Sequence, residues 1–334
     1  MCTFNGEEYI EEQLDSFLRG SRMPNELVIG DDWSTDQTIE IIRKFAQKVP
    51  FDVKITINNF NLGSTKNFEQ TIARCSGDII VLSDQDDVWV PHKLDWILSE
   101  FDARRDICLV FSDADLVDEN LNELGSTLWD TVKTKTMNNG ELRANGLASL
   151  LFQRNFVTGA TMAFRSDLKK VLEVNRAPEG YVHDHWIAIL AYSLCKVVGI
   201  DKSLIHYRQH SGQQIGTNAV RRTVKQKRRH VRTERYDEIV VNLISEIEAY
   251  SRFLRYLISS DRKMNDKGVI PEMINAKIAD TQEKLLHFST RRNFSTSRIR
   301  RLSGVLHEIR SGRYFQYSRG LRSALFDLIE PYRE

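Results

Sequence analysis

The sequence predicts an α/β fold, a mostly parallel sheet with flanking helices, followed by a helical C-terminal region. Three observations predict it. Short apolar segments at Leu27–Gly30, Val53–Ile57, Asp78–Leu82 and Cys108–Phe111 alternate with stretches of helical spacing. Acids follow two of those segments directly, Asp31-Asp32 after the first and Asp84, Asp86 and Asp87 after the third. From Arg221 onward only helical patterns remain. Strands alternating with helices make a parallel sheet covered on both faces, and ligands bind beyond the carboxyl ends of its strands.

The elements follow in order. Glu7–Arg19 sets Ile10, Leu14, Phe17 and Leu18 at helical spacing, and Gly20 and Pro24 end the helix. Ser34 followed by Gln37 reads as a capping box that opens a helix through Ile39, Ile42 and Phe45, closed by Pro50. Gly63–Cys75 predicts the next helix, and Pro91 suits the start of one through Leu94, Ile97 and Phe101. The alternation then changes. Glu141–Gln153 reads as a helix, Val157–Phe164 as a strand entered through Thr158-Gly159, and His183–Leu194 as a helix. Lys196–Ile200 and Leu204–Tyr207 read as two short strands, and Ile239–Ile258, Pro271–Phe288, Ser297–Ile309 and Leu321–Ile329 as helices.

The 334 residues are 41% hydrophobic and 28% charged with net charge +1, ordinary values for a soluble globular chain. That balance excludes a global field favouring nucleic acid or membrane. No apolar run approaches ~18 residues, so no spanning helix is expected, and no signal peptide is visible. Cys2, Cys75, Cys108 and Cys195 are widely spaced without a C-x-x-C, which argues against a zinc or redox pair. Cys108 and Cys195 lie in apolar runs and are expected to be buried reduced thiols, in keeping with a cytoplasmic protein.

Charge is uneven along the chain. Residues 221–235 hold eight basic residues against Glu234, and residues 284–322 hold ten against Glu308. Such runs are either solvated helical faces or an attraction to an anionic membrane surface, here the inner face of the cytoplasmic membrane. No aromatic stacking platform accompanies them, which argues against nucleic acid. The apolar Leu302, Val305, Leu306, Ile309, Tyr314 and Phe315 between the charges could dock shallowly, pack on the catalytic domain, or serve a homodimer.

Chemistry concentrates at the strand ends. In Ser83-Asp84-Gln85-Asp86-Asp87, carboxylates two apart on an extended segment can share one hard cation, Mg²⁺ or Mn²⁺, with substrate phosphates completing its shell. The same run can also be an acidic surface loop. Asp32 stands where acids of nucleotide-binding sheets accept a ribose hydroxyl or base N–H, while Ser34 and Asp36 read first as helix caps. Thr3-Phe4-Asn5 lies just past a remnant strand, either a turn or a nucleoside contact. In His183-Asp184-His185-Trp186 the carboxylate precedes a helix, either as its cap or as a general base. Tyr207-Arg208-Gln209-His210 offers a cation, with His210 either a ligand for metal or phosphate or a structural histidine.

Taken together, these residues resemble the family 2 inverting glycosyltransferases of GT-A fold, a Rossmann-like sheet. The resemblance runs through Cys2-Thr3-Phe4-Asn5-Gly6, Asp31-Asp32-Trp33-Ser34-Thr35-Asp36, Asn61-Leu62-Gly63, Ser83-Asp84-Gln85-Asp86-Asp87, Thr158-Gly159 and His183-Asp184-His185-Trp186. It covers residues 1–215, leaving 216–334 as a basic helical region. Tyr207-Arg208-Gln209-His210 and that region look like bacterial rhamnosyltransferases of cell-surface polysaccharide and O-antigen synthesis. The resemblance implies that Thr3, Asn5 and Asp32 hold the nucleoside. It implies that Asp84 approaches the ribose or metal, that Asp86 is the main metal ligand and that Asp184 is the catalytic base. His210 would reach the diphosphate or metal. The donor would be a nucleoside diphosphate sugar and the acceptor a glycan or lipid-linked sugar. His183 stands where most members carry an acid, and only Met1 and Cys2 precede the turn where members carry a full first strand.

Other readings stay in view. A nucleotidyltransferase would need basic residues near the first loop, where Glu7 and Glu8 stand instead. A carbohydrate-binding relative without catalysis would not need Asp84, Asp86 and Asp184. A calcium-type loop lacks its distal Glu.

Overall fold

The computed structural model describes residues 1–131, 151–213, 232–260, 269–295 and 297–329. They form two compact units, one within residues 1–177 and 181–219 and the other within 178–180, 220–261 and 268–334. The expected boundary at residue 215 lies outside the described residues, as do most of the expected helix Glu141–Gln153 and the basic stretch 221–231.

In the first unit, β1 (Cys2–Thr3), β2 (Glu26–Asp31) and β3 (Asp52–Ile57) form a parallel sheet in that order. The short β1 is pinned beyond its two residues. The Met1 amino group donates to Val28 O at 2.9 Å, Gly30 N–H donates to Met1 O at 3.1 Å, and the Met1 side chain is buried. Helices α1 (Ile10–Leu18) and α2 (Thr38–Ala46) place Ile10, Leu14, Phe17, Ile42 and Phe45 in one core with Leu27 and Ile29 of β2. Full burial of each such side chain stabilises by roughly 1.5–3 kcal/mol. The Ser34–Gln37 capping box does not form. Ser34 Oγ donates instead to Asp31 Oδ1 at 2.6 Å, and Asp36 Oδ1 accepts the N–H of Thr38 at 3.1 Å where the helix starts. Helix α3 (Ser64–Arg74) follows β3.

A second, mixed sheet carries β4 (Ile79–Val81), β5 (Val88–Trp89), β6 (Ile107–Val117), β7 (Glu123–Thr127), β8 (Met162–Arg165) and β9 (Lys196–Arg208) in the order β4-β8-β6-β9-β5, with β7 on β6. Its long central pair, β6 and β9, is parallel and the other pairs are antiparallel. The two short strands expected over 196–207 are one strand. Its pairing with β6 skips from Ile200 to Ser203, so the polar Asp201 and Lys202 bulge out to solvent. The strand expected from Val157 begins only at Met162, because Gly159–Thr161 makes a 3-10 turn. Helices α4 (Lys93–Ala103), α5 (Leu128–Thr131), α6 (Leu168–Val174) and α7 (His183–Leu194) complete this unit; most of α7 is buried.

Cys108 and Cys195 are not the separate thiols expected. The start of β6 and the end of α7 bring their Cα atoms to 5.9 Å, and the two sulfurs form a disulfide. Cys2 and Cys75 are free, and burial raises both thiols, Cys2 to about 12.

The second unit is helical, with α8 (Arg232–Ser259), α9 (Val269–Arg292), α10 (Arg298–Arg310), α11 (Arg313–Tyr317) and α12 (Leu321–Ile329). Three of its basic residues are not on a solvated face. Arg291 pairs with Asp327 at 2.7 Å, Arg313 with Glu308 at 2.8 Å, and the buried Arg301 donates to Leu328 O at 3.1 Å. Val305 and Tyr314 are buried as well, whereas Leu302, Leu306 and Phe315 are exposed. No helix among the described residues is long and apolar enough to cross a membrane.

Candidate active site

A cleft of about 730 Å³ opens along the first unit, and Thr3, Asn5, Asp32, Asp84, Asp86, Asp184 and His210 all line it. Residues more than 200 positions apart in sequence thus face one space. The reason is topological: β1, β2, β4, β9 and the turn before α7 all end on this side.

The nucleoside-side residues are built into the scaffold. Thr3 Oγ1 donates to Asp31 Oδ1 at 2.7 Å. Asn5 sits at φ 45°, a left-handed conformation that Asn tolerates, and its Oδ1 accepts the N–H of Thr35 at 2.9 Å. The buried Asp32 carboxylate accepts Leu62 N–H at 2.8 Å, Gly63 N–H at 2.9 Å and Asn58 Nδ2 at 2.9 Å. Gly63 enters α3 at φ 82°, where a side chain would be strained, so the Asn61-Leu62-Gly63 turn can fold over Asp32. A carboxylate has about four acceptor positions, so Asp32 retains little beyond these three bonds.

The acidic loop is held from two sides. The Gln85 amide clasps the Phe4 backbone, its Oε1 accepting Phe4 N–H at 2.8 Å and its Nε2 donating to Phe4 O at 3.1 Å. A Cβ at Gly6 would stand 2.3 Å from Gln85 Oε1, so the glycine leaves room for the clasp. On the other side is Arg208, expected to offer its charge to a ligand. Its guanidinium is buried and committed instead: Nε donates to Asp86 O at 2.8 Å, Nη1 to Glu119 O and Nη2 to Glu12. Its backbone N–H donates to Asp87 Oδ1 at 3.1 Å, and the guanidinium lies over the Tyr9 ring. Arg208 thereby braces the loop and carries β9 on to His210, whose Nε2 is 2.9 Å from Asp86 Oδ2.

Negative charge is crowded here. Burial, with Asp86 and Asp184 nearby, pushes Asp84 up to about 7, and burial with Asp86 and Asp84 pushes Asp87 well above the carboxylate range. Asp87 Oδ2 is buried without a hydrogen-bond partner among the described residues. Beneath the loop Lys93 is buried too, donating to Ala160 O at 2.8 Å above the Trp89 ring; burial lowers it to about 7 against the pull of Asp87 and Asp84. Crowded oxygen ligands short of positive charge fit a hard divalent cation. Among the described residues no group of three His, Cys, Asp or Glu side chains converges as a full metal cage. Asp86 and His210 are two donors, which suits an ion that takes its remaining ligands from water and phosphate.

Across the cleft, Asp184 opens α7. Its Oδ1 accepts Asn155 Nδ2 at 2.8 Å and His185 N–H at 2.6 Å, and its Oδ2 accepts Gly159 N–H at 2.9 Å. The carboxylate is therefore fixed in orientation, and Oδ2 keeps acceptor capacity toward the cleft. Sequence reasoning did not reach Asn155, Lys93 or the clasp of Gln85. Each acts through a contact that no local spacing signals.

The fold thus brings an acidic loop and a separately held carboxylate to one cleft at its strand ends. The sequence model of one family, described as Glycosyl transferase family 2, matches residues 1–172, just over half of the 334, and the chain belongs to that family. The chain is 29% identical over 234 residues to a dTDP-rhamnosyl transferase, RfbG of Shigella flexneri, a match covering 65% of this chain and 74% of that protein. It is 26% identical over 215 residues to an uncharacterized glycosyltransferase of Nostoc sp., 63% of either chain, so the match spans less than two thirds of that relative's length. Among solved structures, S. aureus TarS 1-349 in complex with UDP-GlcNAc superposes with a TM-score of 0.54 at 16% identity, covering 98% of this chain and 86% of that one. The fold is thus that of the GT-A glycosyltransferases, with additional C-terminal helices.

Proposed function

We propose that this glycosyltransferase is an inverting, metal-dependent enzyme that moves a sugar from a nucleoside diphosphate to a glycan or lipid-linked acceptor in cell-surface polysaccharide synthesis. Rhamnose is the donor sugar we favour, supported by the likeness to the Shigella flexneri dTDP-rhamnosyl transferase. One observation carries the reading: the Asp86–His210 pair and the braced Asp184 face a single cleft.

Thr3, Asn5 and Asp32 shape the turn that receives the nucleoside, acting through the backbone they order as much as through their own side chains. Asp84 approaches the ribose or the metal. Asp86 and His210 would hold Mn²⁺ or Mg²⁺, which when bound neutralises the charge of the leaving diphosphate. Asp184 Oδ2 takes the proton of the acceptor hydroxyl. The acceptor oxygen then bonds to the anomeric carbon as the carbon–oxygen bond to the diphosphate breaks on the opposite face, so the configuration inverts. Asn155 and the Gly159 N–H keep Asp184 aimed during this transfer.

For the second unit, we propose peripheral contact with an anionic membrane surface. Exposed Arg298, Arg300, Arg310, Arg319 and Arg322 accompany the exposed apolar Ile299, Leu302, Leu306, Leu325 and Phe326. A donor screen tests the catalytic reading: nucleotide sugars are added with Mn²⁺ and the melting temperature is followed. A true donor at ~100 times its Kd adds about 2.7 kcal/mol. No shift with any nucleotide or nucleotide sugar, and no hydrolysis of one, would overturn it.

A further inference from the structure

The His183 side chain is 8% exposed, and neither ring nitrogen has a hydrogen-bond partner among the described residues. Buried polar atoms are nearly always paired, so an imidazole with both nitrogens unpaired calls for an account. Packing alone does not supply one. The ring stacks on Phe68, centroids 3.8 Å apart and planes 17° from parallel, a contact that a phenyl or leucyl side chain would make without the polar atoms. His183 is nevertheless among the residues that line the cleft, beside Asp184, Thr158 and Asn67, with both ring nitrogens themselves buried. A Cβ at Gly159 would lie 2.9 Å from His183 Nε2 and 3.4 Å from Asp184 Cβ. Gly159 therefore lets the imidazole and the carboxylate share the floor of the site.

We propose that His183 is a binding residue for a neutral sugar hydroxyl next to the reacting centre, its partner being supplied by the bound substrate. Burial lowers the imidazole against the pull of Asp184, so the ring is neutral and offers one donor and one acceptor. A hydroxyl matches that pair, since it can donate to one nitrogen or accept from the other. An anion does not match, because the Asp184 carboxylate next to it repels negative charge. The inference rests on the glycosyltransferase reading above and deepens it: His183 senses the sugar, whereas the acidic loop faces the diphosphate. The hydroxyl belongs either to the donor sugar or to the acceptor, and the experiment separates the two.

His183→Phe keeps the stack on Phe68 and removes both nitrogens; His183→Leu asks the same question at smaller volume if the phenyl ring is not accommodated. Affinities for UDP and dTDP are compared by calorimetry with those for UDP-glucose and dTDP-rhamnose, and KM for acceptor is measured in the transfer reaction. Affinity for the bare nucleotides should be unchanged, which also reports an intact fold. If the hydroxyl is the donor's, the variant loses about tenfold in affinity for the nucleotide sugar only. If it is the acceptor's, nucleotide-sugar affinity holds and acceptor KM rises about tenfold. His183→Gln, which restores a donor and an acceptor, should recover part of either loss. Parent-like values in both arms would overturn the inference and leave glycosyl transfer standing. Failure of the unsubstituted protein to bind any nucleotide or nucleotide sugar would overturn the glycosyltransferase reading, and this inference with it.

Discussion

His210 Nε2 meets Asp86 Oδ2 at 2.9 Å although 124 positions separate the two residues. The contact exists because Arg208, two residues before His210, is anchored on the backbone of the loop that carries Asp86. Asp84 and Asp87 crowd the same loop, and the proposed cation site rests on this His210–Asp86 pair.

The first prediction follows from that pair. Asp86→Asn should abolish transfer while shifting the melting temperature little, since the side chain faces the cleft. EDTA should remove activity and Mn²⁺ or Mg²⁺ restore it. His210→Ala should weaken Mn²⁺ binding in the presence of UDP or dTDP, measured by calorimetry. Full turnover in EDTA would refute the metal assignment.

Asp184 is held by three hydrogen bonds that fix its orientation without closing off Oδ2. Asp184→Asn should lower kcat by ~10²–10⁴-fold, the usual worth of a general base. Affinity for the nucleotide sugar should survive. The opposite pattern, a collapse of donor affinity with kcat retained at saturation, would move Asp184 to the donor site.

Acid should destabilise the first unit through Glu26. Burial raises this carboxyl, but Lys54 at 2.6 Å and the N–H groups of Ser76 and Gly77 outweigh it and lower it from 4.5 to about 2. A carboxylate depressed on folding contributes stability that is fully present above its unfolded value. That stability is lost as pH falls from about 4.5 toward 2. Solvent screens the exposed Lys54 end of this pair, so Glu26→Gln should cost about 1 kcal/mol at pH 7 and flatten this part of the acid limb in urea melts. An unchanged slope of stability against pH between 5 and 3 would show that the group is not linked to folding.

Liposome co-sedimentation checks the second unit. Arg291, Arg301 and Arg313 are buried and cannot reach a membrane, so binding to anionic vesicles should depend on the exposed Arg298, Arg300, Arg310, Arg319 and Arg322. Each basic residue near the surface is worth roughly 1 kcal/mol, so replacing all five should remove most of the affinity, as should high salt. Equal, negligible binding of the parent protein to neutral and anionic vesicles at low salt would leave these helices as a packing or dimerisation module.

The sequence by itself determined the alternation of strands and helices, the acids at the strand ends and the run of helices after residue 221. These are local properties: apolar periodicity, Gly and Pro punctuation, and carboxylates directly following a strand are all visible within a dozen residues. Only the tertiary structure decided what those residues touch. The Cys108–Cys195 disulfide, the commitment of Arg208 to the acidic loop, the Gln85 clasp and the burial of Arg291, Arg301 and Arg313 all join distant segments. The same holds for His183. In sequence it is one half of a His-Asp pair before a helix; in the fold it is an imidazole stacked on Phe68, fitted against Gly159 and without a hydrogen-bond partner among the described residues. Whether a polar side chain is satisfied depends on every segment packed around it, and that is a property of three-dimensional neighbours, which spacing along the chain does not encode.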